Sequence, residues 1–140
     1  MRQKKNGKEV PGRSMSADIL VAEDDEDVRN LIEGKLESEL GGKYDIVTTT
    51  NGEEVWDFLE KQTENPPEIV ILDVMMPSLD GFSVLERIRD DENLNDVKVI
   101  ILTSRSREED ISRALEAGAD DFVAKPFSPK ELVSNIRSML

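Results

Sequence analysis

From residue 17 onward, short apolar runs of β type alternate with segments whose apolar residues recur at helical spacing, and the alternation repeats five times. No other feature narrows the fold as far. Strands and helices that take turns cover all their apolar faces most simply as parallel strands joined by helical crossovers. The strand candidates are 18–22, 45–49, 68–72, 97–102 and 121–124, and three of these are almost wholly apolar, as strands covered on both faces should be. Between and after them, Val28, Leu31, Ile32 and Leu36 form one helical stripe; Val84, Leu85 and Ile88 form another, as do Ile111, Ala114 and Leu115, and Leu132, Val133, Ile136 and Met139. The punctuation agrees: Gly41-Gly42 can close the first helix, Pro66-Pro67 stop the second, and Ser128-Pro129 start the last as N-cap and N1. A (βα)5 unit with right-handed crossovers is expected to be an α/β, open, doubly wound parallel sheet whose ligands sit outside the carboxyl ends of its strands.

At 140 residues the chain suits one domain core. It has 18 basic and 31 acidic side chains and a net charge of −13, which argues against affinity for phosphate backbones or anionic lipid. No direct nucleic-acid partner is expected. With neither Cys nor His there is no disulfide, thiol nucleophile, imidazole base or thiolate metal site, so the chemistry falls to carboxylates, hydroxyls and lysines. No apolar run approaches a membrane span and the N-terminus lacks a signal-peptide core, so no membrane association and a cytoplasmic location are expected. Residues 1–14 hold five bases against the single acid Glu9, and the remaining residues therefore carry −17. This stretch reads either as a basic arm that binds something or as a disordered leader before a true start at Met15. The second reading is preferred, because short polar termini are commonly disordered. The domain is thus expected to span 15–140.

The residues just past the strands carry the functional signal. Glu23-Asp24-Asp25-Glu26-Asp27 follows the first strand, Asp73 the third, Thr103-Ser104 the fourth and Lys125-Pro126 the fifth. Each has an ordinary explanation alone: acids complement a helix N-terminus, hydroxyls cap, and lysines are solvated. Together they converge on one sheet edge. Two or three carboxylates gathered there repel one another, and the simplest relief is a hard divalent cation with oxygen ligands, for which Mg²⁺ is the expectation. Asp73, at the end of an apolar and central strand, is placed to act as a nucleophile toward phosphorus, with Lys125, Thr103 and the cation to complement the phosphoryl oxygens.

Across residues 17–140 the chain resembles the receiver domains of two-component response regulators. The matching segments are Ile19-Leu20-Val21-Ala22-Glu23-Asp24-Asp25, Ile71-Leu72-Asp73-Val74-Met75-Met76-Pro77 with Asp80-Gly81, Leu102-Thr103-Ser104, and Gly118-Ala119-Asp120-Asp121-Phe122-Val123-Ala124-Lys125-Pro126-Phe127. The resemblance implies a flavodoxin-like sheet of order 2-1-3-4-5. It implies that Asp73 is the phosphoacceptor, Glu23 and Asp24 the metal-binding acid pair with Asp73, and the Met75 backbone carbonyl a further metal ligand. Thr103 would be the switch hydroxyl, Lys125 the site lysine and Phe122 the switch aromatic, with a cis Lys125-Pro126 bond. The acid pair is Glu-Asp, a variant the family accepts; Asp25 is expected to cap a helix, and Phe122 replaces the commoner Tyr and lacks its hydroxyl. Met75 and Met76 are expected to fill gaps and Trp56 to be partial core on the second helix.

The partners so implied are a sensor histidine kinase or phosphotransfer protein, and a downstream protein met through the fourth and fifth helices. Two other readings compete. A Mg²⁺-dependent phosphohydrolase resembling the haloacid dehalogenase group would need a second Asp two residues after the nucleophile, where this chain has Met75. A degenerate receiver acting only as a binding module would not keep the full acid, acceptor, hydroxyl and lysine set. The chain stops after its last helical pattern, so it is expected to be a single-domain regulator or an excised fragment. Receivers that dimerise through the fourth and fifth helices pair Glu131 and Asp121 with bases at positions where this chain has Ile111 and Asn135, although Glu116 and Arg137 could keep a third pair. A mostly monomeric domain that docks a heterologous target is the expectation.

Overall fold

A computed structural model describes residues 17–104 and 108–140, so the expectations for residues 1–14 and Met15 lie outside the described residues. Five parallel strands form one sheet: β1 (Ile19–Ala22), β2 (Ile46–Thr49), β3 (Ile69–Asp73), β4 (Lys98–Thr103) and β5 (Asp121–Ala124). Their order is β2-β1-β3-β4-β5, the doubly wound arrangement expected. Helices α1 (Glu26–Leu40), α2 (Gly52–Glu60), α3 (Gly81–Asp90), α4 (Glu108–Glu116) and α5 (Pro129–Met139) make the crossovers.

Alternation along the strands splits the core into two layers. Leu20, Ala22, Val70, Leu72, Val99 and Ile101 pack with α2, α3 and Ala114 of α4. Ile19, Val21, Ile69, Ile71, Ile100 and Leu102 face α1 and α5 instead. Strands buried on both faces explain the continuous apolar runs. Register then brings the carboxyl ends level: Ala22 pairs with Leu72, Asp73 with Leu102, and Thr103 with Ala124.

The strand starts differ from expectation by one residue at four places, and at three of them, Asp18, Asp45 and Glu68, the interactions that displace them are visible. The Asp18 carboxylate accepts the Asp45 N–H at 2.8 Å, and the Asp18 carbonyl accepts the Glu68 N–H at 2.9 Å, so these acids brace the lower edge rather than extending the strands. The second helix stops at Glu60, well before Pro66-Pro67. Past Leu59 the apolar stripe meets Gln62 and Thr63, and the chain turns through Gln62 N–H to Leu59 C=O at 3.0 Å.

Two stripes are also narrower than expected. Leu31 is 51% exposed, leaving Ile32, Leu36 and Leu40 as the buried face of α1, and Leu115 is 54% exposed, leaving Ala114 as the buried residue of α4 among the described residues. Trp56 packs at the margin of the core, with the Arg87 guanidinium 5.7 Å from its ring centroid. Met76 fills the core as expected, but Met75 does not: its side chain is 55% exposed.

Candidate functional site

The end of β3 and the loops leaving β1 and β5 carry Asp73, Glu23, Asp24 and Lys125 to one place. Each carboxylate offers an oxygen within 4.8 Å of the other two; Glu23 and Asp73 are buried and Asp24 is exposed. Lys125 Nζ lies between the buried pair, 2.8 Å from Glu23 Oε1 and 3.2 Å from Asp73 Oδ2. The other oxygens are oriented by backbone: Asp25 N–H donates to Glu23 Oε2 at 3.0 Å and Met75 N–H to Asp73 Oδ1 at 3.2 Å.

Local sequence explains why these groups meet. The Asp25 carboxylate caps α1 by accepting the Val28 N–H at 3.0 Å, as expected for that residue, so the chain turns sharply right after the acid pair. Past Asp73 the loop turns through Ser78, at φ 67°, into α3, where Asp80 caps by accepting the Ser83 N–H at 2.9 Å. Gly81 allows this closeness, because a Cβ there would stand 2.5 Å from the Asp73 carbonyl oxygen and 3.0 Å from Val74 Cα. The Lys125-Pro126 bond is cis, and Ser128 caps α5 ahead of Pro129.

Burial pushes the Asp73 carboxyl up to about 7, with the neighbouring Glu23 charge adding and Lys125 opposing. Burial works against the Lys125 ammonium too, but its bonds to Glu23 and Asp73 outweigh that and raise it above the ordinary lysine value. The site therefore holds a firmly charged cation beside more carboxylate than it can neutralise. Three hard oxygen donors with unbalanced negative charge, one of them open to water, fit a hard divalent cation that retains part of its hydration shell.

The remaining expected site residues are arranged differently. Thr103 is buried at the end of β4, and its carbonyl accepts the Lys125 N–H at 2.8 Å. Phe122 is not part of the acid cluster: it pairs with Ile101 a level below the strand ends and packs, half-buried, on the α2–α3–α4 layer. For Met75 the notable group is its N–H on Asp73, while the side chain stands in solvent. Sequence reading passed over Arg29, whose guanidinium bonds the carbonyls of the acid pair. Its position one turn into α1 was the available signal, but arginines on helix surfaces are commonly just solvated.

A family model described as the response regulator receiver domain matches residues 19–137. The “Probable transcriptional regulator ycf27” of Guillardia theta is 43% identical over 122 residues, covering 87% of this chain and 44% of that protein. The “Alkaline phosphatase synthesis transcriptional regulatory protein PhoP” of Bacillus subtilis is 36% identical over 126 residues, covering 90% of this chain and 49% of that one. The chain thus spans under half the length of these relatives. Among solved structures, the BeF3-activated receiver domain of DrrB from Thermotoga maritima superimposes with a TM-score of 0.75 at 30% identity, covering 89% of this chain and 97% of that one.

Proposed function

Because the chain belongs to the response regulator receiver domain family, we propose that residues 15–140 form a switch in which Asp73 accepts a phosphoryl group from a histidine kinase or phosphotransfer protein. The observation that carries this reading is the Lys125 ammonium bridging Glu23 and Asp73 inside a cluster of three carboxylates. Glu23, Asp24, Asp73 and the Met75 carbonyl would hold Mg²⁺. When bound, it supplies the positive charge that lets the carboxylates ionise together and that complements phosphoryl oxygens.

In the transfer, an Asp73 carboxylate oxygen attacks the phosphorus of a phosphoimidazole. The new P–O bond forms as the P–N bond breaks, and the departing imidazole nitrogen keeps the electron pair. Lys125 is already within contact of Asp73 and can exchange a carboxylate oxygen for a phosphoryl oxygen. The Met75 N–H on Asp73 Oδ1 fixes the carboxylate orientation. Thr103, one residue beyond the strand partner of Asp73, supplies the hydroxyl that follows the phosphoryl group, and Phe122 responds on the adjoining strand.

Such a domain catalyses only its own phosphorylation and dephosphorylation. A phosphohydrolase would need a proton-transferring side chain where Met75 stands. The output is a protein target on α4 and α5, where Ile111, Leu115 and Phe122 offer apolar surface and a body charge of −17 disfavours nucleic acid. No helix among the described residues is long and apolar enough to cross a membrane, and we assign the domain to the cytoplasm. The test is intact-mass analysis after acetyl phosphate and Mg²⁺. Wild type should gain one phosphoryl group and Asp73→Asn none; equal labelling of both would overturn the assignment.

A further inference from the structure

We propose that Arg29 is a positioning residue for the divalent-cation site, acting by clasping the backbone of the acid pair rather than by touching ligand; this rests on the reading of Glu23, Asp24 and Asp73 as the cation's holders. Arg29 Nη1 donates to the Glu23 carbonyl at 3.0 Å and reaches the Asp24 carbonyl at 3.4 Å. Its backbone N–H donates to the Asp25 carbonyl at 2.8 Å in the first turn of α1, while the Nη1 contacts show the side chain folded back over the start of that helix.

The turn is held from several directions. Glu23 N–H donates to the Thr49 carbonyl of β2 at 3.1 Å, Asp25 caps α1, and Arg29 takes the carbonyls between. This matters because Glu23 and Asp24 are adjacent in sequence, and both must aim carboxylates at Asp73 against mutual repulsion. A backbone free to rotate would relieve the repulsion by splaying the acids apart. A charged donor on consecutive carbonyls resists that rotation, and outer groups that orient ligands govern metal affinity in this way.

A positive charge near a cation site opposes cation binding, so if Arg29 acted only through its charge, removing it would tighten Mg²⁺ binding. If it acts by positioning, removal loosens binding despite the lost repulsion.

The test is titration of the full chain with Mg²⁺, without phosphodonor, followed by amide NMR shifts at residues 23–25 and 73–75, with melting measured in chelator. Arg29→Met should weaken Mg²⁺ binding roughly tenfold. Arg29→Lys, which keeps the charge and a donor able to reach one carbonyl, should fall between Arg29→Met and wild type. A folded Arg29→Met chain that binds Mg²⁺ as well as or better than wild type overturns the proposal. A merely structural role would lower the melting temperature and leave the Mg²⁺ Kd unmoved. Should Arg29→Met not fold, Arg29→Lys decides: wild-type affinity there overturns the proposal and weakened affinity supports it. Wild type showing no Mg²⁺-dependent shift at these residues overturns the cation-site reading itself, and the inference with it.

Discussion

Replacing Asp73 by Asn should make the metal-free protein more stable, although it alters a buried residue that bonds to its neighbours. Asp73 is 2% exposed, its carboxyl rises from 3.8 to about 7, and Glu23 stands beside it. Between pH 4 and 7 the folded chain keeps a proton that the unfolded chain has released, so this group's contribution to stability falls as pH rises through that window. Above it, the ionised site costs up to ~4 kcal/mol, from about 1.4 kcal/mol for each unit by which the pKa is raised. Water entering at the exposed Asp24 side reduces that figure, so the expected gain for the nearly isosteric Asp73→Asn is about 1–3 kcal/mol at pH 8. That corresponds to roughly 3–9 °C in melting temperature for a domain of this size. The assay is thermal melting of both proteins with EDTA across pH 4 to 8, then with Mg²⁺. The difference should shrink as pH falls and should narrow with Mg²⁺, which stabilises wild type by binding the folded state. A variant that melts below wild type at pH 8 in EDTA, or a difference independent of pH, would refute the reasoning.

Arg89 on α3 donates to the carbonyls of Gly118, Asn95 and Val97 and to Asp120 Oδ2, all at 2.6–3.0 Å, so Arg89→Ala should cost about 2–4 kcal/mol in urea unfolding while Asp73 still labels with acetyl phosphate. The beryllofluoride-treated domain should sediment as a monomer, because Arg137 already bonds Glu39 of α1 at 3.1 Å and the Asp121 carboxylate accepts the Phe122 N–H at 2.8 Å; a tight dimer broken by Glu131→Lys would contradict this. A chain begun at Met15 should melt and accept phosphate like the full chain, and loss of either would make residues 1–14 part of the domain.

The sheet was readable because both faces of its central strands are covered, which writes burial as continuous runs such as Ile69 to Leu72. Their carboxyl ends were readable for the same reason: a charged residue directly after such a run must lie at the edge, and Asp73 and Glu23 do. Helix stripes were less reliable at the periphery. Leu31 and Leu115 have the right spacing on amphipathic helices but stand outside the buried arc, and composition cannot separate an apolar residue that packs from one left exposed. Apart from the helix caps at Asp25 and Ser128, backbone contacts were not legible. The clasp of Arg29 on the Glu23 carbonyl and the Met75 N–H on Asp73 depend on turn geometry that no side-chain pattern encodes. Nor does spacing tell that Asp18 would brace β2 and β3 instead of starting a strand.

In the proposed switch, chemistry at Asp73 alters the α4–α5 surface. Amide NMR of the wild-type chain before and after beryllofluoride with Mg²⁺ tests it most directly. The expected shifts begin at residues 23–25, 73–75 and 125, pass through Thr103 and Phe122, and reach α4, with none in Asp73→Asn. Shifts confined to the acid cluster, with Phe122 and α4 unmoved, would contradict a switch and leave only a phosphate-binding pocket.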